Sequence, residues 1–146
     1  LYPDQPFVIG PPWSSLVAYD LNAGTIQWKV PLGQDSRAAG EGAKHSGAFM
    51  AERHGIIVTS TGLLFVAGSD GKIRAYDAES GNVLWTAALP AGSEGIPAMY
   101  EVDGRQYLVV CASSRINPGG GHRQDGAAAH SESGSPARSY VTFALP

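Results

Sequence analysis

Four histidines and a single cysteine are the side chains best suited to metal binding or nucleophilic catalysis. His45, His54, His122 and His130 are never four residues apart and have no cysteine pair beside them, so common zinc patterns are absent. Cys111 ends an apolar run, which favours a small buried side chain over a nucleophile. The sequence also lacks a Gly-x-Ser-x-Gly turn and a phosphate-binding Gly-Lys-Ser/Thr loop, so hydrolase and nucleotide chemistry are poor interpretations.

Carboxylates are the next candidates, because aspartate clusters bind calcium and carboxyl groups act as acids and bases. Asp20 and Asp77 lie in two similar turn sequences, and Asp70 and Asp103 each precede a glycine. Turn aspartates accept hydrogen bonds from nearby backbone N–H groups, so these four are predicted to be structural. No Asp-rich calcium loop is present.

Composition narrows the class of protein further. The chain has 146 residues, a net charge of −3, 19 glycines and 10 prolines. Such a composition favours short strands and turns over long helices. The few basic residues are spread along the chain, which argues against nucleic-acid binding. No signal peptide or membrane-spanning apolar run is visible, and the start at Leu1 suggests that the chain was processed or cut from a larger protein.

The sequence contains an internal repeat. Residues 18–28 and 75–85 are identical at five of eleven positions, with an offset of 57. Each copy predicts a strand, a tight turn and a return strand that carries a tryptophan. A repeated strand–turn–strand unit of this kind favours the blades of a β-propeller.

Hairpin turns divide the chain into groups of strands. Strands at 16–20 and 25–30 form the end of one blade, within residues 11–34. Residues 55–89 form one complete four-stranded blade, with strands at 56–60, 63–68, 73–77 and from 83 onward, because Thr61-Gly62 and Asp70-Gly71 are hairpin turns. Residues 96–146 start a closing blade, with strands at 99–102, 106–112 and 140–145. The segments 33–54 and 112–139 are predicted as loops. The fold class is therefore all-β, a partial β-propeller of four-stranded antiparallel blades.

The repeat resembles the tryptophan-docking motif, Ala-x-Asp-x-x-Ser/Thr-Gly-x-x-x-Trp, of pyrroloquinoline-quinone (PQQ) dehydrogenases. The second copy matches it fully, and the first has Ala23 at the hydroxyl position. The resemblance implies that the tryptophan of one blade docks on its neighbour, which makes the motif residues structural. These residues are Asp20, Gly24, Trp28, Asp77, Gly81 and Trp85.

The likeness covers residues 11–34, 55–111 and 140–146, which resemble the closing blades of a quinoprotein glucose or alcohol dehydrogenase. In that family the ring has eight blades, and another part of the same protein completes the last one. The resemblance implies a parent that oxidises a sugar or an alcohol in the periplasm with PQQ and calcium. Its other blades, or other copies of this chain in a homo-oligomer, are the expected partners.

The chain departs from the family at three places, and the first of them lies close to the cofactor in that family. The family's Gly-Gly-His-Gly loop is replaced by residues 113–116, its Ala-Thr-Pro by residues 95–97, and its Gly-Gly pair by His54-Gly55. Either Arg115 or His122 takes over a PQQ contact, or the loop contacts nothing, and the second interpretation is favoured. No calcium ligand or catalytic acid can be matched. The chain alone is expected to bind no cofactor and to be inactive. The alternative is a non-catalytic propeller module used for binding or assembly.

Overall fold

The computed structural model describes residues 10–35, 46–48, 54–114 and 138–145. These residues form ten strands and no helix. Within this part of the chain, therefore, no helix could span a membrane. The strands are β1 (Ser15–Asp20), β2 (Thr25–Pro31), β3 (Ile56–Val58), β4 (Leu63–Ala67), β5 (Lys72–Asp77), β6 (Val83–Ala88), β7 (Gly92–Ser93), β8 (Ala98–Val102), β9 (Arg105–Ser114) and β10 (Ser139–Ala144).

The first two sheets follow the repeat. Strands β1 and β2 form an antiparallel pair, in which Ala18 lies opposite Trp28. Strands β3, β4, β5 and β6 form a four-stranded antiparallel meander in sequence order. Strand β3 ends two residues earlier than predicted, because the Thr59 hydroxyl accepts a hydrogen bond from the Leu63 amide at 3.0 Å and closes the turn.

The third sheet is built around the long strand β9. Strand β10 pairs with one edge of β9, while β7 and β8 lie in line along the other edge. Two predictions need correction. Three strands were predicted here, but the two-residue strand β7 makes the sheet four-stranded. A loop was predicted for residues 112–114, but these residues belong to β9. Pairing of Ala112 with both Ser93 and Ser139 extends the strand into that segment.

The second sheet is covered on both faces. One face packs against the third sheet through a cluster that contains Phe65, Ile73 and Leu108. The other face packs against the first sheet through Leu16, Leu64, Val66, Tyr76 and the partly buried Trp28. Both faces of β5 are therefore buried, although its sequence alternates between polar and apolar residues.

The second and third sheets meet at one edge and enclose a cavity at the other. His54, just before β3, forms a parallel bridge with Gly95, between β7 and β8, so the two sheets meet at that edge. At the opposite edge, an apolar cavity of about 550 Å³ lies between β6 and β10, and Leu84, Trp85 and Phe143 line it. We call the meeting point, with the adjoining Glu94 and Ser113, the axial edge.

The described part of the segment 33–54 packs on the start of β1. Ser46, Gly47 and Ala48 are buried, and the Trp13 amide donates to the Ser46 carbonyl at 2.7 Å. Gly47 has a φ of +68°, and a Cβ there would clash with the backbone of Ser14. These contacts attach the segment to the first sheet without forming a strand.

Candidate functional site

Trp28 connects the first sheet to the second. Its indole Nε1 donates a hydrogen bond to the Ala78 carbonyl oxygen at 3.0 Å, across 50 residues of sequence. The ring lies on Gly81, where a Cβ would approach the indole Cε3 to 2.7 Å. Gly81 also has a φ of +73°, so both the turn conformation and the ring contact require glycine. The tryptophan of one repeat is thus seated on the turn of the next.

The turn beneath this indole is closed by Asp77. One carboxylate oxygen accepts hydrogen bonds from the Ser80 hydroxyl at 2.8 Å and from the amides of Ser80 and Glu79 at 2.7 and 3.1 Å. The bonds from Ser80 and Glu79 hold the pKa of Asp77 below its usual value, because they stabilise the ionised form.

The corresponding turn of the first repeat has fewer hydrogen bonds. The Asp20 carboxylate accepts from the amides of Asn22 and Ala23 at 2.8 and 3.0 Å, and Ala23 has no hydroxyl to add. Gly24 has a φ of +68°, but a Cβ built there would have no described atom within 4 Å. The turn at Gly24 therefore has the same backbone conformation as the turn at Gly81, but no indole ring packs against it in the described part of the chain.

Trp85, the counterpart of Trp28 in the second repeat, has a different environment. It packs edge-on against Phe143 of β10, with ring centroids 5.2 Å apart, and 40% of its surface is exposed. Among the described residues no glycine turn lies beneath it. The two tryptophans are equivalent in sequence, but they differ in what covers them.

A buried ion pair joins the second sheet to the segment after β2. Asp70 and Arg74 form a bidentate pair with N–O distances of 2.5 and 3.2 Å, and each side chain is only 9% exposed. The Gln34 amide donates to Asp70 at 3.3 Å. Sequence reasoning identified Asp70 only as a turn residue and missed this pair, although an aspartate and an arginine four residues apart across a hairpin was an available signal.

The axial edge is a cluster of polar side chains that contains an imidazole, a carboxylate and a hydroxyl group, the kinds of group that act in acid–base catalysis. The Ser113 hydroxyl donates to a Glu94 carboxylate oxygen at 3.3 Å, and the Glu94 amide donates to the Cys111 carbonyl oxygen at 3.2 Å. Both ring nitrogens of His54 are buried, and no described residue gives them a well-aligned hydrogen bond. Burial lowers the pKa of His54, while the Ala67 carbonyl and the Glu94 carboxylate act in the opposite direction.

These residues offer little to a quinone and form no calcium site. Both ring nitrogens of His54 are buried away from any ligand, and the Ser113 hydroxyl is engaged by the Glu94 carboxylate. Within the described ranges, no three carboxylate, histidine or cysteine side chains come together to hold a metal ion. Arg115 and His122, the predicted cofactor contacts, lie outside the described residues.

The antiparallel sheets and the repeated strand–turn–strand unit are those of a β-propeller. The family described as "PQQ: Glucose/ethanol/alcohol dehydrogenase, beta-propeller domain" matches residues 2–108. The chain belongs to this family, which confirms the resemblance and the fold class predicted from the sequence.

Several characterised proteins are similar to the chain. It is 36% identical over 108 residues to the glycerol dehydrogenase large subunit of Gluconobacter thailandicus, covering 70% of this chain and 14% of that protein. It is 34% identical over 106 residues to the quinoprotein glucose dehydrogenase of Escherichia coli K12, with 70% and 13% covered. The chain thus spans a small part of the length of these relatives.

Solved structures show the same architecture. A quinohemoprotein alcohol dehydrogenase from Pseudomonas putida HK5 superimposes with a TM-score of 0.51 at 28% identity, over 67% of this chain and 12% of that one. A europium-containing methanol dehydrogenase gives a TM-score of 0.51 at 27% identity, over 68% and 15%.

Proposed function

We propose that the protein containing this chain is a PQQ-dependent dehydrogenase that oxidises a sugar or an alcohol. The observation that carries the proposal is the similarity over about 110 residues to dehydrogenases that act, by name, on glycerol and glucose. In such a protein PQQ accepts the electrons removed from the substrate, and calcium accompanies it as the expected metal.

The role proposed for this chain is to form three adjoining sectors of the ring. Its turn aspartates Asp20 and Asp77 are engaged by backbone amides, and Asp70 is paired with Arg74, so none of the three is available as a catalytic base. The chain alone is therefore expected to be inactive and to bind no cofactor. In the whole protein, Arg115 and His122 stay proposed contacts to the quinone.

The docking motifs are proposed to connect the sectors. Trp28 on Gly81 is the contact that supports this role. Trp85 and the open turn at Gly24 are proposed to receive matching partners from the remaining blades or from further copies of the chain in a homo-oligomer. We also propose a periplasmic location, on the resemblance alone.

The test uses the full-length protein that contains this chain, loaded with PQQ and calcium. Binding is followed by the change in PQQ absorbance, and activity by reduction of an electron-accepting dye with glucose, glycerol and ethanol. Stoichiometric PQQ binding and turnover of at least one substrate are expected. Absence of both PQQ and calcium binding would overturn the proposal.

A second candidate function is a non-catalytic propeller used for binding or assembly. It is favoured by Ile96, which is 71% exposed next to the axial edge where the dehydrogenases have a hydroxyl residue by resemblance. Glu94 adds a carboxylate at the axial edge, and its negative charge would disfavour an anionic ligand there. Full-length protein that folds but binds neither PQQ nor calcium would support this candidate.

A further inference from the structure

A polar groove lies between the first and second sheets and shares no residue with the axial edge. Its volume is about 460 Å³. One wall is formed by Val30 and Pro31 of β2, and the floor is the face of β5 and β6 that looks toward the first sheet. This groove differs from the apolar cavity between the second and third sheets, because its floor carries charged and hydroxyl groups.

The strand register places these groups in one row. Lys72, Arg74 and Tyr76 alternate along β5 and therefore point to the same face of the sheet. Thr86 lies directly opposite Arg74 on β6, next to Lys72 on the diagonal. Asn82 lines the groove near one end of this row. A ligand in the groove would meet a line of hydrogen-bonding groups on one side and apolar side chains on the other.

Among the described residues that line the groove, one cation has no ionic partner. The Arg74 guanidinium is neutralised by Asp70 in the bidentate pair. The Lys72 side chain is half-buried, and no carboxylate of the described residues lies within ion-pair distance of it. A half-buried cation without a counter-ion is unfavourable, and an anion in the groove would relieve that cost.

We propose that this groove binds a small hydroxylated carboxylate, with the carboxylate on Lys72 and the hydroxyl groups on the Thr86 hydroxyl and the Asn82 amide. One unpaired cation matches one carboxylate, and the row of hydroxyl and amide groups matches a chain of ligand hydroxyls. Val30 and Pro31 contact the carbon skeleton of the ligand. The groove geometry alone carries this assignment, which does not depend on dehydrogenase activity.

The test is calorimetric titration of the full-length protein with gluconate as the probe. Glucose serves as the neutral comparison, and acetate serves as an anion without hydroxyls. The variant Lys72→Gln removes the cation, and Lys29→Gln removes an exposed lysine on β2 that does not line the groove. Losing a charge-assisted hydrogen bond is expected to weaken gluconate binding about 10-fold or more in Lys72→Gln.

Lys29→Gln is expected to bind gluconate as tightly as the unmodified protein does. Glucose and acetate are expected to bind to the unmodified protein at least about 10-fold more weakly than gluconate does. Near-ultraviolet circular dichroism establishes that both variants are folded, and Lys72→Arg restores binding. The proposal is overturned if gluconate does not bind, if folded Lys72→Gln binds it equally well, or if acetate binds as tightly as gluconate. Loss of PQQ binding would leave all these results unchanged.

Discussion

Tyr19 and Tyr76 are equivalent residues of the two repeats, 57 positions apart, and they lie in opposite environments. Tyr76 is 1% exposed because Trp28, Val30 and Leu16 of the first sheet cover its face of the second sheet. Tyr19 is 62% exposed, because no described sheet lies on the corresponding face of the first sheet. The same sequence motif thus produces a buried or an open face according to whether a preceding sector is present.

The contact between Gly81 and Trp28 can be measured with a matched pair of substitutions. Gly24 and Gly81 have nearly the same positive φ, +68° and +73°, but only Gly81 lies under an indole. Gly24→Ala is expected to cost about 1–2 kcal/mol, the strain of a left-handed backbone. Gly81→Ala is expected to cost about 1–3 kcal/mol more, because the new methyl group displaces the ring. Urea unfolding of both variants is the measurement, and equal losses would contradict the docking contact.

The Asp70–Arg74 pair predicts strong energetic coupling. Asp70→Asn or Arg74→Met alone leaves a buried charge without its partner and is expected to destabilise the fold by about 3 kcal/mol or more. The double variant is expected to cost clearly less than the sum of the two, and a double-mutant cycle from urea unfolding measures the difference.

The exposed Asp-Gly turn at Asp103 is the control for this pair. Asp103 lies at a φ of +52° and is exposed. Asn adopts this conformation readily, so Asp103→Asn is expected to change stability by less than about 0.5 kcal/mol. Simple additivity of Asp70→Asn and Arg74→Met would mean that the ion pair does not couple the two side chains.

The Ser80 hydroxyl is expected to control the ionisation of Asp77. Ser80→Ala removes the hydroxyl hydrogen bond to the carboxylate, so the pKa of Asp77 is expected to rise toward its ordinary value of 3.8. Because the folded-state pKa is lowered, the stabilisation is present above the unfolded-state value and is lost as the pH falls through the folded-state pKa. Carboxyl ¹³C chemical shifts during an acid titration measure the change. Thr25→Ala is the control: Thr25 is an exposed residue of β2, and its substitution is expected to leave the pKa of Asp77 unchanged.

His54 is expected to make the fold less stable in mild acid. Its pKa is lowered from 6.5 by burial, so the unfolded chain takes up a proton before the folded one does. Stability is therefore complete above pH 6.5 and declines as the pH falls below it, by at most about 1.4 kcal/mol per pH unit.

Urea unfolding between about pH 5 and 8 measures this slope in the unmodified chain and in His54→Leu, which has no group that titrates there. The variant is expected to lose the part of the slope that His54 contributes. An unchanged slope would show that the imidazole titrates alike in the folded and unfolded chains.

The hairpins of the second sheet could be predicted from the sequence, because the turn residues themselves determine where the chain reverses direction. Gly62, Gly71 and Gly81 have positive φ values of 80°, 71° and 73° at the predicted turns. The burial of Arg74 could not be predicted from the sequence. Polar and apolar residues alternate along β5, which predicts that the polar face is exposed to solvent, whereas the first sheet covers that face. Strand β7 was missed because two residues carry no periodic signal.

The candidate site was predictable only in part. The departures at His54 and at residues 95–97 and 113–116 indicated an altered axial edge. The hydrogen bond from Ser113 to Glu94 depends on the pairing of β7 with β9, and the burial of His54 depends on its bridge to Gly95; no local sequence pattern encodes either contact. The predictions for Arg115 and His122 still stand as predictions.

The contact between Trp28 and Gly81 also determines which insertions and deletions of sequence such a chain can accept. At the joint between the first two sheets, the first repeat contributes the tryptophan and the second repeat contributes the glycine turn, so this joint is shared by two repeats. Adding or deleting a whole unit of 57 residues therefore recreates a joint of the same kind, whereas a cut within a unit separates a tryptophan from its own turn. Whole-unit duplication and loss are thus the changes in length that this architecture tolerates best.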